Sequence, residues 1–373
     1  MIKRIAISLS AASLLLLAAC GLPARSIGID LAEHPLSVQL SSDVDRLVAD
    51  TVDADGPGVA VLVMVNNQIF YADGHGLSNI AERTSITSST VFDLASVSKQ
   101  MTAIALLKLV ESGDVDLDAP VANYLSEFAA LPSERPVLVK QLLHHTSGLD
   151  DYTSDSWDGS EREFANLDLE AHLDWVMAQA LWNEPGAAFE YNNSGYALLA
   201  LIVQRVSGQS FPDYMQTEIF QPLGMENTLV YSQLGQAIPQ QAQGYLVRNS
   251  GEAEAVSSPS VIAGDGNVFS SLADIAQYDR ALRRHQLVSA ATLGKAIAPG
   301  ELSNGWAIRD AYGMGWEIAD THVHHGGGWV GTSTYYRHYT DVDLSIVVLS
   351  NNENYDAFGL GEEIAELFDL ENL

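Results

Sequence analysis

Strand-forming runs lie near both ends of this chain, with helix-forming runs between them. Val59-Ala60-Val61-Leu62-Val63-Met64-Val65 is a continuous apolar run of strand length. Asn66-Asn67 supplies a turn, and Gln68 to Ala72 reads as the returning strand of a hairpin. Gly74 to Ala81 reads as a loop. Toward the C-terminus, Gly313 to Ile318, Thr321 to His324, Thr332 to Tyr339 and Leu344 to Leu349 alternate or run apolar. The middle is different. Ser96 to Glu111 is the clearest helix, with Met101, Ile104, Ala105, Lys108 and Leu109 at helical spacing and Gly113 as its stop. Val121 to Leu125, Val139 to His145, Leu169 to Gln179 and Gly195 to Val206 are further helices. Ser271 and Asp274 resemble a capping box ahead of Ile275 to Arg283. Helices at Ser42 to Asp53 and Glu362 to Phe368 open and close the pattern. One sheet built from both ends, with flanking helices and a mainly helical subdomain beside it, buries all these apolar faces at once. The expectation is an α+β fold.

The chain has 373 residues, 47% of them hydrophobic, which is ample for one large core or two smaller ones. No fixed-period repeat marks a solenoid or propeller. The formal charge of -30 repels phosphate backbones and excludes a nucleic-acid partner. Lysine is scarce: Lys3, Lys99, Lys108, Lys140 and Lys295 are the whole set.

The first residues read as a targeting segment. Lys3 and Arg4 precede an apolar stretch, Ile5 to Ala19, too short to span a bilayer. It ends in Leu17-Ala18-Ala19-Cys20, which resembles a bacterial lipobox. The expected boundaries are a signal peptide over 1–19, a lipidated Cys20, a tether over 21–36 and the folded domain over 37–373. Cys20 is the sole cysteine, so it serves neither a disulfide nor a multi-cysteine metal site. Acyl chains on Cys20 would hold the protein at a membrane without a spanning helix. Residue 21 is Gly, not Asp, which points to the outer membrane of the bacterial cell envelope, facing the periplasm. A secreted protein with an ordinary signal peptide is the alternative.

Ser96-Val97-Ser98-Lys99 places a hydroxyl and an amine on one helical face. A serine is a poor nucleophile until a base takes its proton, and a neutral lysine is such a base. The helix N-terminus adds N–H groups where an oxyanion forms. Alone, the pattern is common, and a capping serine followed by a solvated lysine is the plain alternative. Tyr191-Asn192-Asn193 precedes a helix; the tyrosine can move protons, and an Asn amide can hold both a lysine and a carbonyl. His325-Gly326-Gly327-Gly328 sits between strand candidates. Its glycines admit close approach of substrate, Gly328 N–H is a candidate oxyanion donor, and His325 can offer a hydrogen bond or partial positive charge. A flexible hairpin turn is the alternative there.

In this order the motifs resemble those of the penicillin-recognising serine hydrolases: class C β-lactamases, DD-peptidases, related esterases and D-amino-acid peptidases. That group carries Ser-x-x-Lys, then Tyr-x-Asn, then Lys-Thr-Gly or His-x-Gly on a strand; here they are Ser96/Lys99, Tyr191/Asn193 and His325/Gly327. Phe92-Asp93-Leu94-Ala95, the stretch Leu142 to Leu149, Pro185-Gly186 and the segment from Ala263-Gly264 to Asp274 extend the resemblance, from about Leu40 to the C-terminus. It implies a β-lactamase-like fold with an antiparallel sheet. It also implies that Ser96 forms an acyl-enzyme, Lys99 takes its proton, and Tyr191 moves protons to the leaving group and from water. Asn193 would orient Lys99 and substrate, and Ser96 and Gly328 would supply the oxyanion N–H groups. His325 stands where β-lactamases of this type have lysine. A histidine is only partly charged at neutral pH and anchors a carboxylate more weakly, which shifts weight from β-lactams to esters or peptides. Asn192 stands where many relatives have Ser or Ala.

Other signals are weaker. Gly326-x-Gly328-x-x-Gly331 leads into a strand, not a helix, and so does not read as a dinucleotide site. His322, His324 and His325 lack the carboxylate and spacing of a zinc site, so no metal and no cofactor are expected. No Gly-x-Ser-x-Gly elbow occurs. His144-His145 reads as a structural feature. The expected activity is an acyl-enzyme hydrolase acting on a small-molecule or peptide ester or amide. A non-catalytic envelope protein that binds muropeptide or a partner is the alternative. The oligomeric state is not legible.

Overall fold

The computed structural model describes residues 35–154, 168–309 and 311–368. The leader over 1–19, Cys20 and tether residues 21–34 lie outside them.

Helix α1 (Pro35–Ala49) leads to a hairpin of β1 (Val59–Val65) and β2 (Gln68–His75). Asn66 and Asn67 both take positive φ, 52° and 62°, the conformation a tight two-residue hairpin turn demands. The chain then runs through a helical region containing α2 (Ser98–Glu111), α3 (Asn193–Ser207) and α4 (Leu272–Arg283). It returns as β3 (Glu317–Ile318), β4 (His322–Trp329), β5 (Thr332–Tyr339) and β6 (Leu344–Ser350), and closes with α5 (Ala357–Leu367). These strands form a six-stranded antiparallel sheet in the order β3-β4-β5-β6-β1-β2. β1 from one end of the chain pairs with β6 from the other, Val59 opposite Ser350 and Val65 opposite Leu344. The α+β fold with a sheet drawn from both termini is thus the observed one.

The unbroken apolar run of β1 follows from cover on both sheet faces. Val59, Val61, Val63 and Val65 join Leu344, Ile346 and Val348 under α1 and α5. Ala60, Leu62 and Met64 turn the other way, into the larger core shared with α2, α3 and α4. α3 lies at the centre of the helical region: Tyr196 to Val203 are all fully buried, and the helix packs on α2, Val139–Leu143 and Leu169–Ala178. Among the described residues no helix is long and apolar enough to cross a membrane.

Two local differences from the sequence reading bear on the site, and one of its alternatives is set aside there. Ser96 is not in the first turn of α2 but in a 3-10 turn, Ala95–Val97, that feeds it. The glycine run is not a hairpin turn: His325 to Gly328 continue β4, with Gly327 paired to Thr334. Conversely, Gly313 to Ile318 is strand only at Glu317–Ile318; ahead of it a tight turn bonds Gly313 N–H to Trp316 O. Gly315 in that turn takes φ +84°, and a Cβ there would lie 2.9 Å from the main chain of Lys99.

Candidate active site

The 3-10 turn exposes Ser96 at the floor of a cavity of about 230 Å³, which Tyr191, Asn193 and Gly328 also line. Ala95, just before the nucleophile candidate, takes φ +45°, a conformation uncommon for a residue with a side chain. The main chain of β4 packs directly against this turn. A Cβ on Gly327 would sit 2.6 Å from Leu94 O and 2.2 Å from Thr334 Oγ1, so only glycine permits the approach. Gly328, one residue on, has open space where a Cβ would point and lines the cavity.

Lys99 is fully buried. Its Nζ lies 3.0 Å from Ser96 Oγ, 2.8 Å from Asn193 Oδ1 and 2.8 Å from the main-chain oxygen of Asp265. The orientation of the Asn193 amide is set from its far side. Nδ2 donates to Thr153 Oγ1 at 3.0 Å and to Asp151 Oδ2 at 3.2 Å, so Oδ1 must face Lys99. Asp151 Oδ2 also accepts Asn193 N–H at 2.8 Å. Asn192 caps α3 by accepting Gly195 N–H at 2.7 Å, while its Nδ2 donates to Leu149 O. Thus neighbouring asparagines do different work: one starts the helix, the other reaches the lysine.

The Tyr191 ring stands over Lys99, its centroid 4.9 Å from Nζ, and the residue is 40% exposed, so the phenol borders solvent. It is held from behind by His145, whose ring centroid lies 4.4 Å away. His145 takes φ +55°, accepts Asn192 N–H on Nδ1 at 3.0 Å, and accepts Glu190 N–H on its carbonyl. Burial, then the nearby Lys99 amine, pushes this imidazole well below its ordinary pKa, so it is neutral. The structural role expected of the His144-His145 pair holds for His145.

His325 joins the cluster from β4 but carries no charge. It is buried, and burial with the Lys99 amine lowers its pKa to about 3. Gly326 O can only accept, so Nδ1 carries the proton toward it at 2.6 Å, and Nε2 accepts the Tyr312 hydroxyl at 3.0 Å. The partial positive charge considered for this position is therefore absent at neutral pH. His325 also turns away from His322 and His324: the former lies against Arg337 and the latter against Phe358 of α5. Strand alternation thus keeps His325 apart from the other two. Among the described residues no group of three or more His, Cys, Asp or Glu is placed to hold a metal.

The geometry brings together Ser96, Lys99, Tyr191, Asn193, His325 and Gly328, with Gly327 as the packing contact beneath; Cys20 is outside the described residues. Asp151, Asp265, His145 and Tyr312 support the site and escaped the motif reading. His145 and Asp265 do fall in the segments Leu142–Leu149 and Ala263–Asp274 that carried the resemblance.

A profile described as "Beta-lactamase" matches residues 44–368. Over 315 residues the chain is 32% identical to "Penicillin-binding protein 4*" of Bacillus subtilis (strain 168), covering 79% of this chain and 68% of that protein. Over 306 residues it is 29% identical to a "D-aminopeptidase" of Gluconobacter oxydans (strain 621H), covering 80% of this chain but only 56% of that one. The solved penicillin binding protein of Bacillus halodurans superposes with a TM-score of 0.75 at 25% identity, over 89% of this chain and all of that one (100%). A match over most of the folded region, with the same architecture in solved relatives, settles the family: this chain belongs to the Beta-lactamase family of serine hydrolases.

Proposed function

We propose that this protein cleaves ester or amide bonds through an acyl-enzyme on Ser96, as an esterase or a D-amino-acid or DD-peptidase-like hydrolase. The observation that carries the reading is the set of partners around Lys99 Nζ. A free amine has two N–H groups and one lone pair. In that form, which the proposed reaction uses, the carbonyl oxygens of Asn193 and Asp265 would take the N–H groups and the lone pair would face Ser96 Oγ, 3.0 Å away. In the proposed reaction Ser96 Oγ bonds to the substrate carbonyl carbon and its proton passes to Lys99. N–H groups of Ser96 and Gly328 meet the developing oxyanion. The bond to the leaving group breaks, and that group takes a proton by way of Tyr191. Water, deprotonated on the same route, then releases the acid and restores Ser96.

The neutral, doubly bonded His325 argues against a β-lactam or another donor that needs a cation for its carboxylate. Short-chain nitrophenyl esters test the reading. The full-length protein in detergent should release nitrophenol, and Ser96→Ala should lose at least about a thousand-fold in kcat/KM while keeping its melting temperature. Equal rates in the two would leave the non-catalytic envelope reading in possession. The same proposal places the enzyme on the bacterial cell envelope through lipidated Cys20. Cys20→Ser should then move it from the membrane fraction to the soluble one.

A further inference from the structure

Resting on the acyl-enzyme reading, we infer that Trp329 limits the length of the acyl group: its indole, fastened to Ser258, walls the Ser96 cavity off from a second cavity, so that short-chain or single-residue acyl groups are accepted and longer ones are not. The Ser96 cavity, about 230 Å³, is smaller than the roughly 300–1,000 Å³ of sites for drug-sized ligands. The second cavity is larger, about 340 Å³, and lies across Asp93, which among the described residues is the one that lines both. Three segments pass from one cavity to the other. Phe92-Asp93 runs on to Ser96, the segment 257–262 starts at the second cavity and ends at the first, and Val330 follows Trp329 in the turn from β4 to β5. Where the last two segments meet, Trp329 Nε1 donates to Ser258 Oγ at 2.7 Å. The indole belongs to the lining of the Ser96 cavity and the hydroxyl to that of the second, so this bond closes the boundary between them.

The partition is held from behind. Gly331 takes φ +77°, and a Cβ there would lie 2.7 Å from Gly244 Cα, so the turn that carries Trp329 packs on the main chain of the strand Gly244–Val247. Gly331 N–H also donates to Glu353 Oε2 at 3.1 Å. Asp93 is tied on two sides: Oδ1 accepts Ala95 N–H at 2.9 Å, and its carbonyl accepts the Thr332 hydroxyl at 2.9 Å. Beyond the partition, Phe92, Tyr231, Val256, Phe269 and Val330 give the second cavity apolar surface, and Asp93 is the one Asp, Glu, Lys, Arg or His among the described residues lining it. An uncharged acyl chain would be buried there if it could enter. With the indole in place, a long chain must turn out through the cavity mouth and leave its methylenes in water, forfeiting the gain of burying them. The chemistry is unchanged: Ser96 Oγ acquires the acyl group, the alcohol or amine leaves with a proton, and water releases the acid.

Release of nitrophenol from p-nitrophenyl butyrate and octanoate, on the full-length protein in one detergent at pH 7, tests this. Wild type should favour butyrate in kcat/KM by at least about tenfold. Trp329→Ala opens the second cavity and should shrink that ratio at least about tenfold, whatever it does to the butyrate rate. Ser258→Ala frees the indole without removing it and should move the ratio the same way by less. Val256→Phe added to Trp329→Ala refills the second cavity and should restore the butyrate preference, which a general loosening of the site would not do. Equal turnover of the two esters by wild type overturns the inference. So does an unchanged ratio in folded Trp329→Ala and Ser258→Ala proteins, or a ratio that stays relaxed when Val256→Phe is added. If butyrate release depends on Ser96 while the ratio ignores Trp329, only the partition falls. If neither ester shows Ser96-dependent release, the acyl-enzyme reading falls with it.

Discussion

At the scale of single residues, Lys99 is fixed by carbonyl acceptors, whereas the acids near it are unsettled by burial. Asp93 illustrates the consequence. Its folded pKa, raised to about 7 chiefly by desolvation, exceeds its unfolded value of 3.8. The folded state therefore binds the extra proton between those values, and the associated stability is present below pH 3.8 and lost as pH rises through 7. Asp93→Asn should raise the melting temperature at pH 8 relative to wild type and give little gain at pH 4; an equal gain at both would refute the linkage. The Ser96–Lys99 contact was legible because residues three apart on a helical turn face the same way. Asp151 and Asp265 were not, since they reach the site from loops whose position depends on the whole fold.

At the scale of elements, the helix start after Asn192 and the path of β4 set the geometry. The Asn192 side chain satisfies Gly195 N–H and reaches Leu149 O, so Asn192→Ala should lower stability by about 1–2 kcal/mol in urea unfolding and displace Asn193, reducing kcat. Unchanged stability would show the cap to be idle. Gly327→Ala drives a methyl into Leu94 O and Thr334 Oγ1. It should destabilise by about 1–3 kcal/mol and move the Gly328 amide, cutting kcat more than it raises KM. A fully active Gly327→Ala protein would contradict that packing. A hairpin turn was the alternative for the glycine run, because consecutive glycines usually punctuate strands, while the resemblance implied a strand. Here the ladder to β5 keeps it extended, and the glycines serve contact with the nucleophile turn. The helical run that begins at Phe211–Met215 and ends at Gln221–Leu223 also went unread, because Pro212 and Pro222 suggest loops; Pro212 lies in the first turn, where a missing N–H does no harm.

At the scale of the whole molecule, the sheet was legible because apolar strand runs at both ends need a common core, and β1 with β6 supplies it. The charge state of the interior was not, because burial depends on the finished packing. Among the buried imidazoles, His145, His172, His325 and His338 are all pushed down, chiefly by desolvation, and stay neutral in the folded state. Unfolded, they would take up protons below about pH 6.5. Their contribution is therefore complete above that pH and is lost as pH falls toward 3, the value reached by His172 and His325. Asp279, held ionised by Arg283 and His338 despite its burial, fails in the same direction, while Asp93 and Asp265 oppose it. The melting temperature should fall between pH 6.5 and pH 4, and a flat or rising profile would contradict this balance.

The central claim is that Ser96 is acylated with Lys99 as its base, and mass spectrometry of the protein after exposure to a reactive acylating ester tests it most directly. The account predicts a single adduct on the peptide bearing Ser96, absent in Ser96→Ala and slowed at least about a hundred-fold in Lys99→Ala. An adduct at another residue, or equal labelling of the Lys99→Ala protein, would contradict it.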